Sequence, residues 1–291
     1  MIPRPRTMTT QSGVVVGLYE YGDPAGEPVL VFHGVPGCGA GFAFADEPAL
    51  SHGVRLVAPD RPGVGLSAPA AAPAIGSYPA IVAELARGLG IGRFALWGYS
   101  GGGPYALACA AGLAGQVSRV AIASGMGQVG VWADAGDFAT TDRRMLVMAR
   151  KSPRLARAIM ATSARLARLS PAAAARSFAR QLSQSDKTVL AQMGPPAEAM
   201  ALFTSAFLHG ARGVIDDYRA VARPWGFDLA AIQAPVRIFH GDADPMVPLR
   251  HAQDLARRIP AADLVVWPGE GHLATVTHVG EVLGWLTRAP V

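Results

Sequence analysis

Alternating apolar positions such as Val14, Val16 and Leu18 suggest an opening strand over residues 14–21, and short apolar runs follow at 29–32 and, interrupted by Arg55, at 54–58. Period-two alternation marks a half-buried strand, whereas a run of four or five apolar residues bounded by Gly or Pro marks a strand buried on both faces. Over 77–89 the spacing becomes helical, with Ser77 placed to cap the first turn. Strand character returns at 93–97, followed by a predicted helix over 102–111 and a strand over 117–123. The same rhythm resumes late in the chain, with a strand at 235–240, a helix at 249–259, a strand at 263–267 and a last helix near 279–286. Strands alternating with helices predict an α/β fold, a mostly parallel central sheet with helices on both faces. In such sheets ligands sit beyond the carboxyl ends of the strands, which is where chemistry is to be sought.

Between these stretches the strand signal disappears. Residues 127–225 are rich in Ala, Arg, Leu and Met at helical periods, which predicts a helical insert lying over the strand ends as a cap. The expected organisation is therefore a core domain of residues 1–126 and 226–291 and a cap of residues 127–225. Within the cap, Pro153 and Pro171 bracket one helix, on which Leu155, Ile159, Leu166 and Leu169 share a stripe while Arg154, Arg157, Arg165 and Arg168 share the adjacent one.

Composition narrows the picture. With 51% hydrophobic and 16% charged residues in a 291-residue chain, a disordered or coiled-coil protein is excluded. No apolar run reaches the roughly 20 residues that cross a bilayer. Arg4 and Arg6 are not followed by the apolar stretch of a secretory signal. A soluble cytoplasmic protein without stable membrane insertion is expected. Cys38 and Cys109 supply neither a disulfide framework nor a zinc-ligand pair and are read as reduced small hydrophobes. The net charge of +5 is local: residues 143–180 hold 10 basic and no acidic residues, leaving 16 basic against 21 acidic elsewhere. A basic amphipathic helix attracts an anionic substrate or an acidic lipid surface, and a solvated Ala- and Arg-rich face explains the same pattern. No nucleic-acid recognition motif accompanies the charge. A homodimer is left open.

The sharpest chemical signal is Gly98-Tyr99-Ser100-Gly101-Gly102, a G-x-S-x-G between a predicted strand and an Ala-rich helix. A serine on so tight a turn projects its hydroxyl, and the glycines permit the backbone angles and leave room for substrate. A serine hydroxyl is a weak nucleophile that needs a histidine base oriented by a carboxylate. Both are present after later strands, in His240-Gly241-Asp242-Ala243-Asp244-Pro245 and Gly269-Glu270-Gly271-His272. Gly37, Gly39 and Gly41 do not make a G-x-G-x-x-G, and neither a phosphate-cradling G-x-x-x-x-G-K-[ST] nor a zinc-ligand spacing occurs. No metal or organic cofactor is expected.

With His33-Gly34-Val35-Pro36-Gly37 and Asp60-Arg61-Pro62-Gly63-Val64-Gly65-Leu66-Ser67 added, the chain resembles the α/β-hydrolase superfamily over about residues 12–124 and 227–286. That resemblance implies Ser100 as nucleophile, His272 as base and Asp244 as acid, with Asp242 the nearby competitor. It implies the backbone N–H groups of Val35 and Gly101 as oxyanion donors. His33 is read as a brace of the oxyanion loop, Asp60 with Arg61 as a turn-stabilising pair, and Glu270 as a solvated loop residue. Serine at position 100 disfavours the dehalogenase and epoxide hydrolase branches, which carry aspartate there. Tyr99, Trp132 and Trp225 are the candidates for substrate binding; Trp132, Phe138, Phe203, Phe207 and Trp225 either line an apolar acyl pocket or belong simply to the core, as apolar residues at helical periods more often do. The expected substrate is a small molecule with an apolar portion, an ester, thioester or lactone. Carbon-carbon bond hydrolysis, a lyase reaction, or a ligand receptor keeping a slow triad remain alternatives on the same fold.

Overall fold

The computed structural model describes residues 5–70, 74–128, 140–260 and 262–288. The core elements run β1 (Arg6–Thr9), β2 (Val15–Gly22), β3 (Glu27–Phe32), α1 (Asp46–Ser51), β4 (Val54–Pro59), α2 (Tyr78–Gly88), β5 (Phe94–Tyr99), α3 (Gly103–Gly112) and β6 (Val117–Ala123). Six helices follow, α4 (Thr140–Lys151), α5 (Pro153–Leu169), α6 (Pro171–Ala179), α7 (Gln184–Gln192), α8 (Pro196–Ser205) and α9 (Arg212–Val221). The chain then closes with β7 (Val236–Gly241), α10 (Arg250–Arg258), β8 (Ala262–Trp267), α11 (Ala274–Thr277) and α12 (Val279–Leu286).

The eight strands form one sheet in the order β1-β2-β4-β3-β5-β6-β7-β8. Only the pairs β1 with β2 and β2 with β4 are antiparallel; from β4 to β8 the neighbours are parallel. Side chains of a strand alternate between faces, and both faces of this sheet are packed. Leu30, Phe32, Phe94, Leu96, Val120 and Ile122 point into one core with α2, α3 and residues of the insert. Val29, Val31, Ala95, Trp97, Ala121 and Ala123 point into the other, against α1 and α12. Fully burying one such aliphatic or aromatic side chain stabilises by about 1.5–3 kcal/mol, so the sheet centre is the rigid part of the molecule.

One expectation meets a different outcome, and the sequence pattern carries no prediction for two further features. β1 and α1 carry no prediction from sequence: β1 is a short, half-exposed edge strand and α1 a six-residue helix containing Pro48. Ser77 occupies the cap position of α2, but its hydroxyl donates to the Ala74 carbonyl and makes no cap bond. On α5 the leucine stripe is not the inward face. Ala156, Met160, Ala164 and Ala167 are buried, while Leu155, Ile159, Leu166 and Leu169 face outward.

Candidate active site

β5 delivers its C-terminus into a tight 3-10 turn, Ser100–Gly102, from which α3 departs. Ser100 holds φ 52°, a left-handed conformation that a residue with a Cβ adopts only when its surroundings enforce it. The flanking glycines are what make room. A Cβ on Gly98 would lie 2.7 Å from the Gly103 Cα, and one on Gly102 would lie 2.0 Å from the Phe32 carbonyl oxygen. The G-x-S-x-G pattern is thus the sequence record of a helix pressed against the ends of two strands.

The loop after β7 contributes Asp244 and the loop after β8 contributes His272, and both meet Ser100 at one edge of the sheet. The Ser100 hydroxyl lies 3.1 Å from His272 Nε2, and His272 Nδ1 lies 2.7 Å from Asp244 Oδ2. Because a carboxylate only accepts, Nδ1 carries the proton and Nε2 is left to accept from serine. Asp244 Oδ1 in turn accepts the backbone N–H groups of Met246 (2.8 Å) and Val247 (2.9 Å). All three residues are buried. Asp242, the competing acid, instead accepts from Gly269 N–H at an exposed turn.

Burial alone would lower the pKa of His272, yet the charge and hydrogen bond of Asp244 override it, and the imidazole titrates above its ordinary 6.5. Burial alone would likewise raise Asp244, but His272 holds it below the usual 3.8. A further carboxyl from α4, Asp142, is pushed up to about 6 by burial, with His272 opposing. It accepts from the Tyr218 hydroxyl at 3.3 Å.

Val35 and Gly101 lie side by side next to the serine. A Cβ on Gly101 would be 3.2 Å from the Val35 nitrogen, and one on Gly34 would be 3.1 Å from the Ser100 Cβ. His33 is buried behind this loop, and the Arg61 guanidinium donates to the carbonyls of His33 (2.7 Å) and Gly34 (3.0 Å). Arg61 does not pair with Asp60, contrary to the sequence reading. Its Nε donates to Asp217 of α9 at 2.8 Å, and Tyr105 also donates to Asp217. Asp60 stabilises its turn by accepting from Gly39 and Leu66 N–H instead. Ser67 is buried and engaged with Asp60 O and Gly17 N–H.

The three residues assigned to substrate have different placements. Tyr99 lies against His272, ring centroids 5.4 Å apart, and its hydroxyl donates to the His272 carbonyl. Trp225 is buried in the core, stacked on Phe227 with centroids 6.0 Å apart, a placement that supports packing in place of the expected substrate wall. Trp132 and Phe138 lie outside the described residues. Phe203 and Phe207 pack on one another at 5.2 Å.

The sequence reading did not find the residues that steady the histidine loop. Asp186 of α7 accepts Leu273 N–H at 2.7 Å while closing a capping box with Ser183, and Ser124 donates to the His272 carbonyl at 3.1 Å. Ser183 three positions before Asp186 was a readable cap signal, but nothing in it pointed to residue 273. Among the described residues no group of three or more His, Cys, Asp or Glu is placed to hold a metal.

A family model described as alpha/beta hydrolase fold matches residues 27–279. No curated protein matches the chain in sequence. Among solved structures, a thermophilic esterase from Thermogutta terrifontis is similar at 22% identity and TM-score 0.68, covering 97% of this chain and 96% of that one. An esterase, RhEst1, from Rhodococcus sp. ECU1013 is similar at 20% identity and TM-score 0.70, over 98% and 100% of the two chains. The epoxide hydrolase VrEH1 from Vigna radiata is similar at 18% identity and TM-score 0.69, over 98% and 96%. The described fold, with a parallel sheet presenting a serine elbow between β5 and α3, and the family match over most of the chain agree: this protein belongs to the α/β-hydrolase fold family.

Proposed function

We propose that the protein is a serine hydrolase that cleaves a small carboxylic ester with an apolar portion through an acyl-enzyme. The observation that carries this reading is the unbroken hydrogen-bond chain from the Ser100 hydroxyl through His272 to Asp244. In the proposed cycle His272 Nε2 takes the serine proton as Oγ attacks the carbonyl carbon, and Asp244 stabilises the imidazolium that forms. The oxyanion is received by the N–H groups of Val35 and Gly101, a pair of donors of which each is typically worth 10²–10³ in rate. His272 then protonates the leaving alcohol, and water attacks the acyl-enzyme by the same steps in reverse order.

The helices between β6 and β7 would act as the cap, and the apolar side chains close to the serine favour an acyl group without charge: Val35 lies over Gly101, and buried Met126 donates its N–H to the Ser100 carbonyl. A panel of p-nitrophenyl esters of graded acyl length tests the proposal. Turnover of at least one short or medium ester, abolished by Ser100→Ala, is expected. A protein that reacts with a serine-directed phosphonate but turns over no ester or thioester would belong with the carbon-carbon hydrolases or lyases instead.

A further inference from the structure

Helix α5 is 17 residues long, about 25 Å at 1.5 Å per residue, and its outward arc is apolar. Leu155, Ile159, Leu166 and Leu169 are 54%, 38%, 57% and 71% exposed and fall within one narrow sector of the helix, while the opposite sector packs through Ala156, Met160, Ala164 and Ala167. Scattered exposed leucines are ordinary; four on one stripe of one helix are not. Charge accompanies the stripe. Arg154, Arg165 and Arg168 are exposed on the sector beside it, and the segment 143–180 carries 10 basic and no acidic residues. Among the described residues none of these ten cations pairs with a carboxylate, although arginines elsewhere do so repeatedly. At the α4–α5 corner Lys151, Ser152, Arg154, Leu155 and Arg157 line an open cavity of about 580 Å³ that offers cationic groups beside the apolar stripe.

We propose that the outer face of α5 docks on the surface of an anionic phospholipid bilayer. The leucines enter the boundary between headgroups and acyl chains, and the arginines and Lys151 receive the lipid phosphates. Apolar insertion and charge attraction are the two contributions that hold an amphipathic helix in a bilayer interface, and this helix presents both on one exposed side. A second copy of the chain would repeat the same cations and oppose itself, whereas an anionic surface complements them. Since no described helix is long and apolar enough to cross a membrane, the contact is peripheral. It puts the outer side of the helical insert against the lipid.

The test is flotation of the full-length protein with phosphatidylserine-containing and pure phosphatidylcholine vesicles. Partition onto the anionic vesicles at low ionic strength is expected, with loss in about 1 M salt, where charges are screened within about 3 Å. Leu155→Asp/Leu166→Asp should reduce partition at least about tenfold and leave turnover of a soluble p-nitrophenyl ester unchanged. Arg154→Glu/Arg165→Glu, on exposed positions outside the packed face, should do the same and stands in if the leucine variant misfolds. The proposal is overturned by absence of partition, by equal partition onto both vesicle types, or by an unchanged leucine variant. A dimer in sedimentation velocity that Leu155→Asp/Leu166→Asp dissociates would overturn it too, because a second copy would then cover the face.

Discussion

Asp244 and Asp242 sit two residues apart on one loop and differ in every respect that matters to a histidine. Asp244 is buried, anchored by two backbone N–H groups and bonded to Nδ1, while Asp242 faces solvent and ties a turn. Asp244→Asn should lower kcat by about 10⁴, because the amide stabilises the wrong tautomer, and Asp242→Asn should change it little. Steady-state kinetics of the two variants decides the assignment. The pH profile follows from the same pair. In the proposed mechanism only neutral His272 accepts the serine proton, and its folded pKa is raised, so activity should fall as pH drops through a value above 6.5. Asp244, held low, stays ionised throughout that window. A kcat/KM profile with its acid limb below 6.5 would contradict the coupling. The candidate motifs were legible from the sequence because each stands directly after a strand, whereas the choice of Asp244 over Asp242 came from the resemblance to the α/β-hydrolase superfamily.

Elements supply what local spacing cannot. Arg61 reaches Asp217 across 156 positions of sequence and Leu273 reaches Asp186 across 87, and no pattern in a single chain announces either contact. Both run from the helices between β6 and β7 to loops at the site, one to the loop after β4, whose Arg61 holds the His33 and Gly34 carbonyls, and one to the histidine loop. They should respond differently to mutation. Asp217→Asn leaves the Arg61 guanidinium buried without its counter-charge and should cost about 3 kcal/mol of stability in denaturant unfolding. Asp186→Asn keeps an oxygen for Leu273 N–H while loosening the charge near His272, so kcat should fall more than stability. The face that a helix buries was also not legible in one case. The apolar stripe of α5 followed the expected period, but the neighbouring helices took the Ala156 side, where small residues allow closer approach than leucines would.

At the scale of the whole molecule the alternation of strands and helices was readable because a parallel sheet buried on both faces demands near-continuous apolar runs, which stand out in residues 29–32 and, interrupted by Arg55 and by Ser118 and Arg119, in 54–58 and 117–123. The antiparallel edge was less visible: β1 has only four residues, three of them exposed, and contributes little to any core. The charge distribution makes the molecule two-sided, with a basic helical segment set on a core that is acidic in sum. What unites the fold is the meeting of three loops, after β5, β7 and β8, at one end of the sheet. The most direct test of that meeting is covalent: the protein is treated with a fluorophosphonate at a pH above the His272 titration and the adduct located by peptide mass spectrometry. One equivalent on Ser100, with labelling strongly slowed in His272→Ala, is the predicted result, and an adduct on another residue, or labelling indifferent to His272, would contradict the account.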